Sequence, residues 1–238
     1  MQSLLYRGII MALLTAPTAQ AKMAKSAKSG KYLPYILHLA PYTLSGHQTC
    51  PKATAGCSVA CLNTAGMGVF SNVQKARIEK TKQFFNNRAQ FLDKLVREIS
   101  AAERKAIREN KQLTVRLNGT SDLQWEVYKA FDGKTIFEVF PDVIFYDYTK
   151  IAKRSPNPFP NYSLTFSAAD GNDDDVMVAL EKGMNVAVVF RDELPSTWNG
   201  RTVIDGDTDD LRFLDPSGVV VGLRAKGKAK KDTTGFVK

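Results

Sequence analysis

The sequence predicts an α/β fold: an open or reduced β/α barrel of about six to eight mostly parallel strands, with a long helical segment after a cysteine loop. Three observations predict it. Short apolar runs recur through the second half, several of them continuous rather than alternating, which suits strands buried on both faces of a parallel sheet. Helix-compatible stretches lie between these runs. The 238 residues, 44% hydrophobic and 24% charged, suffice for one α/β domain over 1–238 with a full core. Within it, 1–31 supply a first strand and a basic loop, and 226–238 a basic tail. A doubly wound sheet is the alternative architecture.

The elements follow in chain order. Arg7, the apolar stretch from Gly8 to Leu14 and Ala19-Gln20-Ala21 imitate a short secretory signal, but Ile9–Leu14 also reads as a first buried strand. Residues 22–31 form a basic loop. Tyr35 to Ala40 reads as a buried strand stopped by Pro41. Asn72 to Asn110 is the clearest helical stretch, poor in β-branched residues and rich in Lys, Arg, Glu, Gln and Ala. Its Phe84, Phe85, Phe91, Leu92, Leu95 and Ile99 recur at helical spacing, and Asn86-Asn87 divides it into two helices. Strands are expected at Leu113–Leu117, Val143–Tyr146, Tyr162–Phe166, Val186–Phe190, Thr202–Ile204 and Val219–Leu223, and helices at Ser121–Phe131 and Asn172–Lys182.

Several apolar strands run straight into small polar or acidic residues. Leu117 leads into Asn118, Ser121 and Asp122. Tyr146 leads into Asp147 and Lys150. Phe166 leads into Ser167 and Asp170. Ile204 leads into Asp205 and Asp207. In parallel α/β folds the C-terminal strand ends share one rim, where sites form. Asn118, Ser121, Asp122, Asp147, Lys150, Ser167, Asp205 and Asp207 are therefore candidate cofactor- or substrate-binding residues, for a small-molecule ligand at that rim. Any one of these strand ends is equally a turn and helix cap.

The three cysteines, Cys50, Cys57 and Cys61, fall within one twelve-residue segment. Secreted disulfide proteins usually carry an even number spread along the chain, so the cluster fits a reducing cytoplasm, the host's if the gene is phage-borne. If Cys57 starts a helix, Cys61 lies one turn on, on the same face. Three thiolates then converge, with His47, or less directly His38, available as a fourth ligand for zinc. A [4Fe–4S] cluster usually takes four cysteines, so three leave one iron open. Small buried cysteines are also ordinary packing residues.

The triad follows a buried strand and precedes a helix. This arrangement resembles that of the radical S-adenosylmethionine enzymes, which implies a [4Fe–4S] cluster and S-adenosylmethionine bound to its open iron and cleaved reductively. The x6 and x3 spacings depart from that family's C-x3-C-x2-C, and Asn118-Gly119-Thr120-Ser121 is only a loose counterpart of its glycine-rich segment. A second resemblance covers nearly the whole chain. Leu117–Asp122, Phe145–Lys150, Asn185–Phe190, Asp210–Pro216, Gly222–Ala229 and the cysteine segment are similar to a family of uncharacterised bacteriophage and prophage proteins, a likeness that implies no particular activity.

The net charge of +9 is unevenly spread. Residues 1–111 hold 17 basic against 5 acidic side chains, so a nucleic-acid partner at the basic N-terminal half is the second functional reading, with zinc as a structural metal. Lys22, Lys25, Lys28, Lys31 and the 72–111 helices would supply that surface. A Mg²⁺-dependent nuclease built on Asp147, Asp205, Asp207 and Asp210 is a third. No apolar run reaches the roughly 18–20 residues of a membrane span, so no membrane partner is expected. Two histidines and no nucleophile elbow argue against a Ser-His-Asp hydrolase. Phosphate-binding and dinucleotide-binding glycine motifs do not occur. Trp125 and Trp198 are expected to pack in the core or at its edge.

Overall fold

A computed structural model describes residues 11–19, 23, 24, 27 and 30–238. Arg7, Ile9, Ile10, Gln20, Ala21, Lys22, Lys25 and Lys28, to which the signal-like stretch, the first strand and the basic loop were assigned, lie outside the described residues. The strands are β1 (Leu14–Thr15), β2 (Tyr32–Leu37), β3 (Gln112–Arg116), β4 (Lys129–Phe131), β5 (Lys134–Thr135), β6 (Ile144–Thr149), β7 (Tyr162–Ser167), β8 (Val186–Phe190), β9 (Thr197–Trp198), β10 (Arg201–Asp205) and β11 (Val220–Arg224). The α-helices are α1 (Ala55–Val59), α2 (Ser71–Asn86), α3 (Arg88–Arg108), α4 (Ile136–Val139) and α5 (Asp173–Glu181). No helix among the described residues is long and apolar enough to cross a membrane.

The strands form a nine-stranded mixed sheet in the order β1-β2-β3-β6-β7-β8-β11-β10-β9. Neighbours from β2 to β10 pair in parallel, and the two-residue strands β1 and β9 add antiparallel edges. The expected open or reduced barrel does not form. The sheet ends in two separate edges, and of the connections after β6 only that from β7 to β8 carries an α-helix. One expected helix is absent for a local reason. The Asn118 carboxamide accepts hydrogen bonds from Ser121 Oγ, Leu123 N and Trp125 Nε1 and donates to the Leu123 carbonyl. These bonds compete with the helical ladder, and residues 121–131 become a loop, one short 3₁₀ turn and β4.

The long helical segment forms as its composition predicts. Asn87 takes φ −144° and ψ 67°, breaks the helix, and caps α3 by accepting from Gln90 N at 3.4 Å. Phe91, Leu92, Leu95, Ile99, Ala102 and Ala106 make one buried stripe on α3. Each large apolar side chain buried there contributes about 1.5–3 kcal/mol. They pack against Leu113, Val115 and Phe145, which share one face of β3 and β6.

The opposite face is polar. It carries Thr114, Arg116, Tyr146 and Tyr148, alternating with the apolar set. The connection 206–219 crosses onto it. Arg116 meets Asp210 at 2.7 Å, and the Phe213 ring contacts Tyr32 and Tyr146, each at a centroid distance of 5.2 Å. Asp210 is 94 residues from Arg116 in sequence, so this bond fixes a long-range closure across β2, β3 and β6. Trp125 is fully buried against Phe84, while Trp198 packs at the edge of the core.

Candidate functional site

Because β2, β3, β6, β7, β8, β11 and β10 run parallel, their C-terminal ends lie along one border of the sheet. The cysteine segment leaves β2 at that border. Asp170, just beyond β7, anchors it. Its carboxylate accepts from the Thr54 hydroxyl, from Gly56 N at 3.0 Å and from Cys57 N at 3.2 Å, and Thr54 Oγ1 also accepts from Cys57 N at 3.1 Å. Thr54 and Asp170 thereby cap α1, which begins the turn carrying Cys57 toward Cys61. Burial raises the Asp170 carboxyl's pKa, but the Thr54, Gly56 and Cys57 donors outweigh it and hold the group below its ordinary value.

Gly56 is required by this close approach. A β-carbon there would stand 2.0 Å from Thr234 Oγ1 and 2.6 Å from Asp170 Oδ1. Thr234 belongs to the C-terminal tail, which folds against the cysteine segment. Ala60 packs with Ala225, Ala229 and Val237. Gly227, at φ +54°, approaches Thr64 and Ala65. The basic tail is therefore built onto the cysteine segment.

Cys50, Cys57 and Cys61 are half-buried thiols. After burial, Cys50 and Cys57 are among the lesser causes that raise the Cys61 thiol. Burial pushes the Cys61 thiol up to about 11 and raises Cys50 as well. Cys50 Sγ accepts from Tyr42 N at 3.3 Å and lies 3.8 Å from the Thr120 carbonyl beyond β3. Cys61 Sγ accepts from Asn63 N at 3.5 Å. As they stand, no three His, Cys, Asp or Glu side chains among the described residues are arranged to hold a metal ion. Cationic side chains act electrostatically on Cys61.

Two of those cations are Arg77 and Lys150. Arg77 on α2 is 6% exposed, and its Nη1 donates to Asn63 Oδ1 at 2.5 Å. Burial lowers its pKa, and Cys61 is the group whose charge opposes that. Lys150, just past β6, donates from Nζ to Ser167 Oγ at 3.0 Å, and its charge also acts on Cys61. The Cys50 arm is tied to the same helix. Thr81 Oγ1 donates to the Arg77 carbonyl and accepts from Ala40 N, and the Ala40 carbonyl accepts from Thr49 Oγ1, next to Cys50.

Three of the rim candidates, Asp122, Lys150 and Ser167, stand beside the triad. Asp122 accepts from Lys150 N and Arg154 Nη1, and its charge reaches Cys50. Asn118, Ser121 and Asp147 are turned inward. Asp147 is 1% exposed and accepts from Asn118 N at 2.8 Å and Tyr162 OH at 3.2 Å; burial pushes its carboxyl up to about 7. Asp205 and Asp207 bind Arg224 and Lys226. Asp147, Asp205, Asp207 and Asp210 thus serve different partners rather than one cation. His47 stacks on Phe85 at 4.4 Å, while His38 is buried and held neutral, first by burial and then by Arg77, Arg116 and Lys80. Along α2 and α3, Glu79–Lys82, Asp93–Arg97, Lys94–Glu98 and Lys105–Glu109 pair within the helices, which neutralises part of the basic surface expected to meet nucleic acid.

Asp170, Thr54, Arg77, Asn63 and Thr81 do not stand among the sequence candidates. One signal for Arg77 was available: Arg77, Thr81 and Phe84 are spaced along one helical face, and Phe84 is apolar. A charged residue on a buried stripe is a functional flag.

A family model described as Gene product 88 matches residues 11–238. No curated protein and no solved structure matches the chain.

Proposed function

The chain belongs to the Gene product 88 family, and from that premise we propose that this phage-type protein carries a thiolate-bound metal centre, with an iron–sulfur cluster as its leading occupant. The observation that carries the reading is the anchored segment: three half-buried thiols within twelve residues, with Thr54, Gly56 and Cys57 bound to the Asp170 carboxylate. Cys50, Cys57 and Cys61 would hold the group. Asp170 and Thr54 position α1, and Lys150, Ser167 and Asp122 supply polar contacts for a small molecule next to it.

A [4Fe–4S] cluster on three cysteines would leave one iron for a ligand such as S-adenosylmethionine. The likeness to the radical S-adenosylmethionine enzymes is not itself supported, since the barrel expected with it does not form. Zinc on the same thiolates is the competing occupant.

The test is anaerobic purification and reconstitution, followed by iron, sulfide and zinc analysis and absorbance near 400 nm. The reading expects stoichiometric metal that is lost in Cys57→Ala. Unchanged metal content in Cys57→Ala, or none in either protein, would reduce the triad to packing.

A further inference from the structure

Five large apolar side chains face solvent within one short run at and beyond the end of α1: Val59, Leu62, Met67, Val69 and Phe70, each between 52% and 61% exposed. Exposed apolar groups gathered in one place, rather than scattered singly, mark an interaction surface. The run is held from beneath. It contains two 3₁₀ turns, Leu62–Thr64 and Gly66–Val69. Gly68 lies so close to the Leu62 and Asn63 carbonyls that a β-carbon there would stand 2.9 and 2.8 Å from them. Gln74 Nε2 on α2 donates to the Gly68 carbonyl at 2.9 Å, and Arg77 Nη1 donates to Asn63 Oδ1. A surface ordered in advance loses little entropy when a partner docks.

The border of this surface carries one sign of charge. No Asp or Glu occurs before Glu79. The C-terminal tail passes beside the turns, with Gly227 against Thr64 and Ala65. It brings Lys228, Lys230 and Lys231, all exposed and none in an ion pair among the described residues. The one carboxylate after Arg224, that of Asp232, is 6% exposed and accepts from the Thr234 hydroxyl and Val237 N. Val59, Lys228 and Lys231 line one cavity of about 420 Å³, which joins the apolar run to the lysines.

We infer that this face docks another protein through an acidic amphipathic segment. The segment's apolar side chains cover Leu62, Met67, Val69 and Phe70, one of them enters the cavity beside Val59, and its carboxylates meet Lys228 and Lys231. Charge complementarity selects the acidic partner. Concavity and composition select protein over anionic lipid and nucleic acid. A bilayer takes in protruding groups and has no side chain to fill a cavity. A single nucleic-acid strand is held by stacking on aromatic rings, and of the five apolar side chains only Phe70 carries one. The surface does not depend on what the cysteines hold.

Display of random short peptides, selected on the immobilised full-length protein, tests this. Enriched peptides are synthesised and titrated against wild type, Leu62→Ser and the double variant Lys228→Glu, Lys231→Glu, beside oligo-dT and phosphatidylserine vesicles. All three positions are exposed, so both variants should melt with wild type. The enriched peptides should combine Asp or Glu with large apolar residues. Their affinity should fall about tenfold in Leu62→Ser, as for a residue central to an interface, and by a similar factor in the lysine variant. Added salt should weaken binding to wild type more than to the lysine variant. No enrichment, enriched peptides without acidic residues, or equal affinity for wild type and either variant overturns the inference. Oligo-dT or vesicles bound more tightly than the peptides, with loss in the same variants, also overturns it and gives the surface to nucleic acid or to lipid.

Discussion

Replacing Asp170 by Ala removes the anchor between the sheet border and the cysteine helix. The carboxylate takes three hydrogens, from the Thr54 hydroxyl and from the amides of Gly56 and Cys57. They are not equally exposed to its loss. The Thr54 hydroxyl can rotate, and the Cys57 amide keeps Thr54 Oγ1 as an acceptor. The Gly56 amide, in a buried residue, has no such second acceptor in α1. An orphaned buried amide costs about 1–3 kcal/mol, and hydrogen bonds to a charged group contribute about 1.5–3 kcal/mol. Allowing for partial replacement by water, Asp170→Ala should lose about 2–4 kcal/mol at pH 7, and Asp170→Asn, which keeps one acceptor oxygen, about half of that. The pH dependence has a definite sign. The folded carboxyl lies below its unfolded value, so its stabilisation is present above about pH 4 and is lost as the pH falls through the folded value. Urea denaturation followed by Trp fluorescence, at pH 7 and again near pH 3, measures both. A change under about 0.5 kcal/mol at pH 7, within the range of ordinary surface substitutions, or a gap that is the same at both pH values, would refute the anchor.

Gly56→Ala should destabilise by about 1–3 kcal/mol through overpacking, and Thr234→Ala in the same chain should recover only part, since Asp170 still blocks the β-carbon; denaturation midpoints of the single and double variants check this. Asp210→Asn leaves Arg116 buried without its ion-pair partner and should cost about 3–5 kcal/mol, read as a lower urea midpoint. Lys80 is buried with Nζ on the Leu13 carbonyl, and burial lowers its pKa to about 8. Between about pH 8 and pH 10.4 the unfolded chain therefore binds the extra proton, so stability should rise with pH there. In Lys80→Met that rise should flatten; an unchanged pH profile would count against a buried charged Lys80.

Much of the fold is legible in the sequence because its signals are local. The break at Asn87, the apolar stripe of α3 and the continuous apolar runs of β6, β7, β8 and β11 follow from residue type and spacing alone. The barrel was the error, because whether the two edges of a sheet meet is a long-range property; a missing helix has a local cause. The Asn118 carboxamide holds 121–125 out of a helix, a bond pattern that composition does not display. The antiparallel edges β1 and β9 are two residues each, too short for any periodicity. For the site, the cysteines were visible by their clustering, and Asp122, Lys150 and Ser167 by their place after apolar strands. Asp147 and Asn118 have the same signature but turn inward, because polarity at a strand end does not say which way a side chain points. The tail's packing on the cysteine segment, the bond from Arg77 to Asn63 and the reach of Asp210 to Arg116 are long-range facts. They depend on the completed topology.

The most direct test of the metal-centre account is X-ray absorption at the metal edge of the anaerobically loaded wild-type protein. The account predicts sulfur scatterers at about 2.3 Å from the cysteine thiolates, reduced in number in Cys61→Ser. A first shell of nitrogen and oxygen alone, unchanged in that variant, would contradict it.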